Sequence, residues 1–216
     1  MSATQTIQIF SISTALIASG GIASLSLFDV PLLKSQPASR SLPSIRWLFS
    51  RGSHIFPQAA FSSAAGFAYL AYTALPSGNH TVSIVIYHLT KGKPALYLAA
   101  AALSIAIGPT TGFMIPTNFE LIKMNEEKRG TRSAKSAEYR ESRGLPPRTA
   151  EESTDNKDDV NQFTDLTGPQ EKTAKDSTPE EDEQARQLLD KFAKLNMVRA
   201  VLVGAGGIVG LMGALA

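Results

Sequence analysis

Apolar residues along the 216-residue chain are gathered into four long runs instead of recurring at a short amphipathic period. The runs cover roughly 7–33, 53–75, 94–115 and 197–216. Each comes to about the 20 residues that a helix needs to cross the hydrocarbon layer of a bilayer. Acids are segregated just as sharply: of 19 Asp and Glu, 18 lie between Glu120 and Asp190, and Asp29 is the one elsewhere. The pattern predicts an all-α protein, a four-transmembrane-helix bundle forming a single membrane domain, with a long charged loop between helices three and four. Residues 122–184, with stretches such as STDNKDDVNQ and TPEEDEQ, hold too few apolar side chains to offset the entropy of ordering. That loop is therefore predicted to be mostly disordered. Two helical extensions are predicted into it, one past Asn118 through LIKMNEEKR and one from Thr178 and Pro179 into the fourth run. The second has acids in its first turn and Lys191 and Lys194 later, which suits the helix dipole.

Composition changes this picture little, because a mean hydropathy of −0.03 averages the two kinds of segment. The first run has no Lys or Arg before Lys34 and is longer than a signal-peptide core, so it is expected to remain as a span. Lys34, Arg40, Arg46 and Arg51 in the first connection share a side with the basic residues that open and close the third. The second connection offers only Lys91 and Lys93. The positive-inside rule then puts the long loop in the cytosol and both termini in a lumen, with the endoplasmic reticulum as the expected multi-pass location. The bilayer is the expected macroscopic partner, and no nucleic-acid partner is expected. Small-residue stripes at Gly206, Gly210 and Ala214, at Gly20 and Ser24, and at Ser62 and Gly66 predict close packing inside the bundle, with a homodimer seam as the other use.

The third run closes on GPTTGFMIPTNFEL, residues 108–121. Pro109 and Pro116 each remove an intrahelical hydrogen bond, freeing the carbonyls of Ile105 and Gly112. The freed groups need neighbours, hydroxyls or water. Thr110, Thr111 and Thr117 can repair the kink and Asn118 can cap the helix end. With alternating helix directions, however, Asp29, His54, Asn118, Asn196 and Arg199 all reach the same membrane face, and Asn196 and Arg199, three apart, share one side of their helix. Ionisable groups inside spans are costly and mark functional sites. A shared polar pocket is the expectation, with helix register, lipid snorkelling by Arg199 and an ordinary interfacial role for His54 as the alternatives.

Metal and nucleotide chemistry finds no support in the sequence. The three histidines are His54, His80 and His88, and the last two fall in the second connection without an i, i+4 partner. GAGGIVG lies in the apolar interior of the last run and is no phosphate loop. With no cysteine, neither disulfides nor thiol redox chemistry is available.

GGIASLSLFDVPLL near the N-terminus, RWLFSRGSHIFP entering the second run, IGPTTGFMIPTNFEL ending the third and LDKFAKLNMVRAVL entering the fourth together resemble the anthrone oxygenase family of fungal polyketide pathways, small four-span membrane proteins. The resemblance covers all four runs but not the charged loop. It departs from the family at Phe192, where Trp is frequent. It implies oxidation of an anthrone, an aromatic polyketide, to an anthraquinone by dioxygen in secondary metabolism, with no metal, flavin or other cofactor. On that reading the catalytic residues are His54, Asp29, Asn118, Asn196 and Arg199, with His54 preferred as base because its ordinary pKa lies near working pH. Thr111 and Thr117 would support by hydrogen bonds, and Phe56 and Phe113 would contact the flat substrate. The alternative is a noncatalytic tetraspan scaffold that recruits pathway enzymes through its charged loop.

Overall fold

The computed structural model describes residues 1–76, 87, 88 and 90–216; His80 lies outside them. The described elements are helical in order: α1 (Ala3–Ser24), a π-helical turn (Leu25–Asp29), α2 (Val30–Lys34), α3 (Ala38–Thr73), α4 (Gly92–Ile105), α5 (Ile107–Glu127), α6 (Ala134–Ser142), α7 (Ala150–Thr154) and α8 (Pro179–Leu215). No strand occurs among the described residues. Among the described residues three helical stretches are long and apolar enough to cross a membrane: Ala3–Lys34, Gly92–Glu127 and Pro179–Leu215. The second predicted run is helical too, as the later part of α3, but its serines, Gln58 and His54 dilute it, and it is not among the three.

The chain divides into two compact units. The first holds 1–24, 55–112 and 196–216. Its core is Ala15, Ala18, Ile22, Ala60, Phe67, Leu70, Tyr97, Ala100, Ile107, Ala200 and Val203, with small residues prominent. Bare glycines let α8 approach its neighbours. A methyl at position 206 would stand 2.6 Å from Ser104 Oγ and 3.0 Å from the Ala100 carbonyl oxygen, and one at 210 would stand 2.3 Å from the Phe67 ring. The Gly206–Gly210 stripe therefore packs within the bundle. On α1 the expected contact at Gly20 is corrected: nothing lies within 4 Å of a methyl there, and it is Gly21 that admits the Phe56 ring.

The second unit holds 25–54 and 113–195, with a core of Val30, Leu33, Leu42, Ile45, Met114, Leu121, Met124, Leu189 and Phe192. Here the mostly disordered loop is corrected. Residues 122–184 are folded, because they bury polar groups against one another instead of burying an apolar surface. Ser133 caps α6 by accepting from Ser136 N at 3.0 Å. Thr149 and Glu152 form a reciprocal capping box on α7. Thr173 N donates to the Ser39 carbonyl at 2.8 Å, and Asp182 accepts from Ala38 N at 2.6 Å, so the segment is tied down at the start of α3. Both predicted extensions are present. α5 continues to Glu127, and α8 begins at Pro179, where Thr178 N donates to Glu181 at 2.7 Å.

Candidate functional site

In the first unit, Asn196 on α8 is 1% exposed, and its Nδ2 donates to the Ile22 carbonyl of α1 at 2.8 Å. The helix widens to the π register over Leu25–Asp29, just past this carbonyl. Arg199 Nη1 donates to Asn196 Oδ1 at 3.3 Å, so the two residues that the i, i+3 spacing placed on one side do meet. Thr111 Oγ1 donates to the Ile107 carbonyl at 2.6 Å, and Thr110 Oγ1 to that of Ala106 at 2.8 Å. Both bonds run back to the preceding turn beside the break at Ala106, and neither reaches the Ile105 carbonyl that Pro109 was expected to free. Phe56 packs into the core of this unit.

In the second unit, Asn118 is not a helix end. α5 runs nine residues further, to Glu127, so its side chain caps nothing. Asn118 Oδ1, Thr117 Oγ1 and His54 Nε2 are all buried without a hydrogen-bond partner. Buried polar atoms in that condition are costly and point to a missing partner such as a ligand or water. The His54 ring lies 4.5 Å from that of Phe163 at a tilt of 43°. Phe163 belongs to the charged segment, and no sequence signal marked it. Asp29 ends the π turn without capping α2 through its side chain. Phe113 is 73% exposed and faces outward.

The sequence reading also missed a buried ionic network in this unit. Arg148 Nη2 lies 2.8 Å from Glu126 Oε1, and its Nη1 lies 2.9 Å from Asp159 Oδ2. Arg132 is 3.8 Å from the same Asp159 oxygen, with no hydrogen bond from any of its three nitrogens. Arg46 Nη2 donates to the Ser153 carbonyl at 2.8 Å. Burial lowers the Arg46 guanidinium to about 10, opposed by Glu126 and deepened by Arg132 and Arg148. Burial likewise lowers Arg132, with Asp159 opposing it. A cavity of about 500 Å³ borders the network, lined by Glu126, Thr131, Arg140, Leu145, Pro146 and Gln170 among others. None of the nine residues singled out from the sequence lines it. Among the described residues no group of three or more His, Asp or Glu could hold a metal ion.

Fold and sites together define an all-helical protein with membrane-length apolar helices and polar side chains set within them. Residues 46–145 match the family model described as Anthrone oxygenase, the family that the four motifs resemble. The match takes in His54, Phe56, Thr111, Phe113, Thr117 and Asn118, while Asp29, Asn196 and Arg199 lie outside it. No curated protein and no solved structure gives a significant match.

Proposed function

We propose that the protein is an oxygenase that converts an anthrone to an anthraquinone with dioxygen, from an endomembrane bundle in which the later part of α3 is a fourth span. The observation that carries this reading is the anthrone oxygenase match over 46–145, which encloses six of the nine residues put forward for the site. The unpartnered polar atoms of His54, Thr117 and Asn118 support it, since a substrate carrying carbonyl and phenol oxygens would supply what they lack.

The chemistry asks little of the protein. A base removes the benzylic proton, leaving an electron-rich anthranolate. This passes one electron to dioxygen, and the resulting radical pair joins through a carbon–oxygen bond to give a hydroperoxide. Loss of water, the remaining benzylic hydrogen leaving with hydroxide, gives the quinone carbonyl. Overall, anthrone and dioxygen become anthraquinone and water, with no outside reductant or cofactor. His54 takes the proton, with Asp29 orienting it or serving in its place. Asn118, in the same compact unit as His54, holds the developing oxyanion. Thr117 of that unit supports it, and Phe113 offers aromatic contact from the outer face.

The alternative is a noncatalytic tetraspan scaffold that recruits pathway enzymes through its charged loop, a segment in which Arg148 pairs with Glu126 and Asp159. The test is aerobic incubation of the purified protein with emodin anthrone in detergent, following quinone absorbance beside heat-inactivated and anaerobic controls. Turnover above both controls, falling roughly 100-fold or more in His54→Ala, is expected for a general base. A rate equal to the heat-inactivated control overturns the reading.

A further inference from the structure

The loop Asn161–Thr167 is built inside out for a loop that faces water. Its acid is hidden: Asp165 is 3% exposed, accepting from Ser133 Oγ at 2.5 Å and from Thr167 N at 3.0 Å. Its large apolar side chains are displayed, with Phe163 66% and Leu166 87% exposed. A loop in an aqueous segment gains by the opposite arrangement.

Several of its backbone groups are bonded within the fold as well. Phe163 N donates to Asn161 Oδ1 at 2.8 Å, and Thr164 N and Asp165 N donate to the Asn161 carbonyl. The Thr167 carbonyl accepts from Trp47 Nε1 at 2.9 Å and from Arg51 Nη2 at 3.3 Å, and the Gln162 carbonyl accepts from Arg51 Nη1 at 3.4 Å. Satisfying backbone groups internally is what entry into lipid demands and what water does not require. The anchors also set the loop's level. Trp47, Arg51 and His54 lie on α3 where its apolar run begins, and Phe163 stacks on His54 itself. Tryptophan and arginine at that position are residues of the membrane–water boundary.

We infer that the Asn161–Thr167 loop is a membrane-interface anchor, which inserts Phe163 and Leu166 among the upper acyl chains of the bilayer and hydrogen-bonds its backbone to Trp47 and Arg51. The charged segment is thus held against the lipid surface at its middle, independently of the helices that flank it. In the same unit Leu27, Phe28, Leu32, Phe113 and Ile115 are also exposed, but these lie on or beside the apolar runs. The loop lies far from any such run in sequence, so its exposed pair is not the flank of a spanning helix.

The chain contains no cysteine, so single labelling sites can be introduced without background. The full-length variants Leu166→Cys, Phe163→Cys, Glu138→Cys and Ile208→Cys are labelled with an environment-sensitive fluorophore. Each is then reconstituted in phosphatidylcholine vesicles carrying doxyl groups at shallow or deep positions. Glu138, exposed on α6, reports water, and Ile208, exposed on α8, reports the membrane core. Labels at 166 and 163 are expected to be quenched several-fold more by shallow doxyl lipid than the label at 138, and to be shielded from iodide. Quenching at 208 with none at 166 or 163 overturns the anchor alone. No quenching at 208 overturns the membrane reading and the anchor with it. Shielding at 166 that requires an added protein, not lipid, also overturns it.

Discussion

Arg148 holds Glu126 with both nitrogens of one guanidinium edge, Nη2 at 2.8 Å from Oε1 and Nε at 3.4 Å from Oε2, with both side chains almost wholly inaccessible. The same guanidinium reaches Asp159, so one cation compensates two buried carboxylates. Arg148→Met would leave Glu126 without its ion pair and Asp159 with the longer Arg132 contact and the Ser136 hydroxyl. The expected loss is about 3–5 kcal/mol, as for other buried pairs broken on one side. Limited proteolysis checks it: cleavage between 130 and 175 should rise steeply in the variant.

Arg132 should behave in the opposite way. Its three nitrogens are buried without a hydrogen bond, and among the described residues its one ion-pair contact is a carboxylate oxygen 3.8 Å away that Arg148 already serves. A charge taken out of water for so little return is replaceable. Arg132→Met is expected to be neutral or to raise the stability of the segment. A melting temperature several degrees below wild type would show that the charge is needed.

Asp165 couples this unit to pH. Burial pushes its carboxyl up, but the hydrogen bonds from Ser133 and Thr167, with Arg51 nearby, outweigh it and hold the group below its ordinary 3.8. A depressed acid contributes stability above its unfolded value and loses it as pH falls through the folded one. Asp165→Asn should therefore be less stable than wild type near neutrality, with the gap closing below about 3.8. Denaturant midpoints measured across that range for both proteins decide it.

Two glycines in the apolar unit should give opposite signs. Gly206→Val drives side-chain atoms into the Ala100 backbone, which cannot turn aside, and overpacking of this kind costs about 1–3 kcal/mol. Gly20→Ala meets nothing and removes a helix-interior glycine, which is worth roughly 0.5–1 kcal/mol in its favour. Unfolding by sodium dodecyl sulfate, followed by helical circular dichroism, ranks the three proteins.

Asn196→Ala should cost about 1–3 kcal/mol, because it leaves the buried Ile22 carbonyl without its donor and removes an acceptor from Arg199. Asn196→Asp, which keeps the shape but not the donor, should not restore stability near neutral pH in the same unfolding assay.

What the sequence determined by itself is whatever follows from local apolar content and spacing. The three membrane-length helices, the start of α8 at Pro179, the continuation of α5 past Asn118 and the meeting of Asn196 with Arg199 all depend on residues within a turn or two of each other. The motifs that resemble anthrone oxygenases are also continuous stretches, so they too were legible. Tertiary structure alone decided the rest. Composition condemned residues 122–184 to disorder because hydropathy counts charge only as a cost. Arg148, Glu126, Asp159 and Arg46 cancel much of that cost through partners up to 107 positions apart. Phe163 over His54 and the hidden Asp165 belong to the same category: whether a side chain faces water, lipid or a partner is a property of the folded neighbourhood, and no local pattern of residue types carries it.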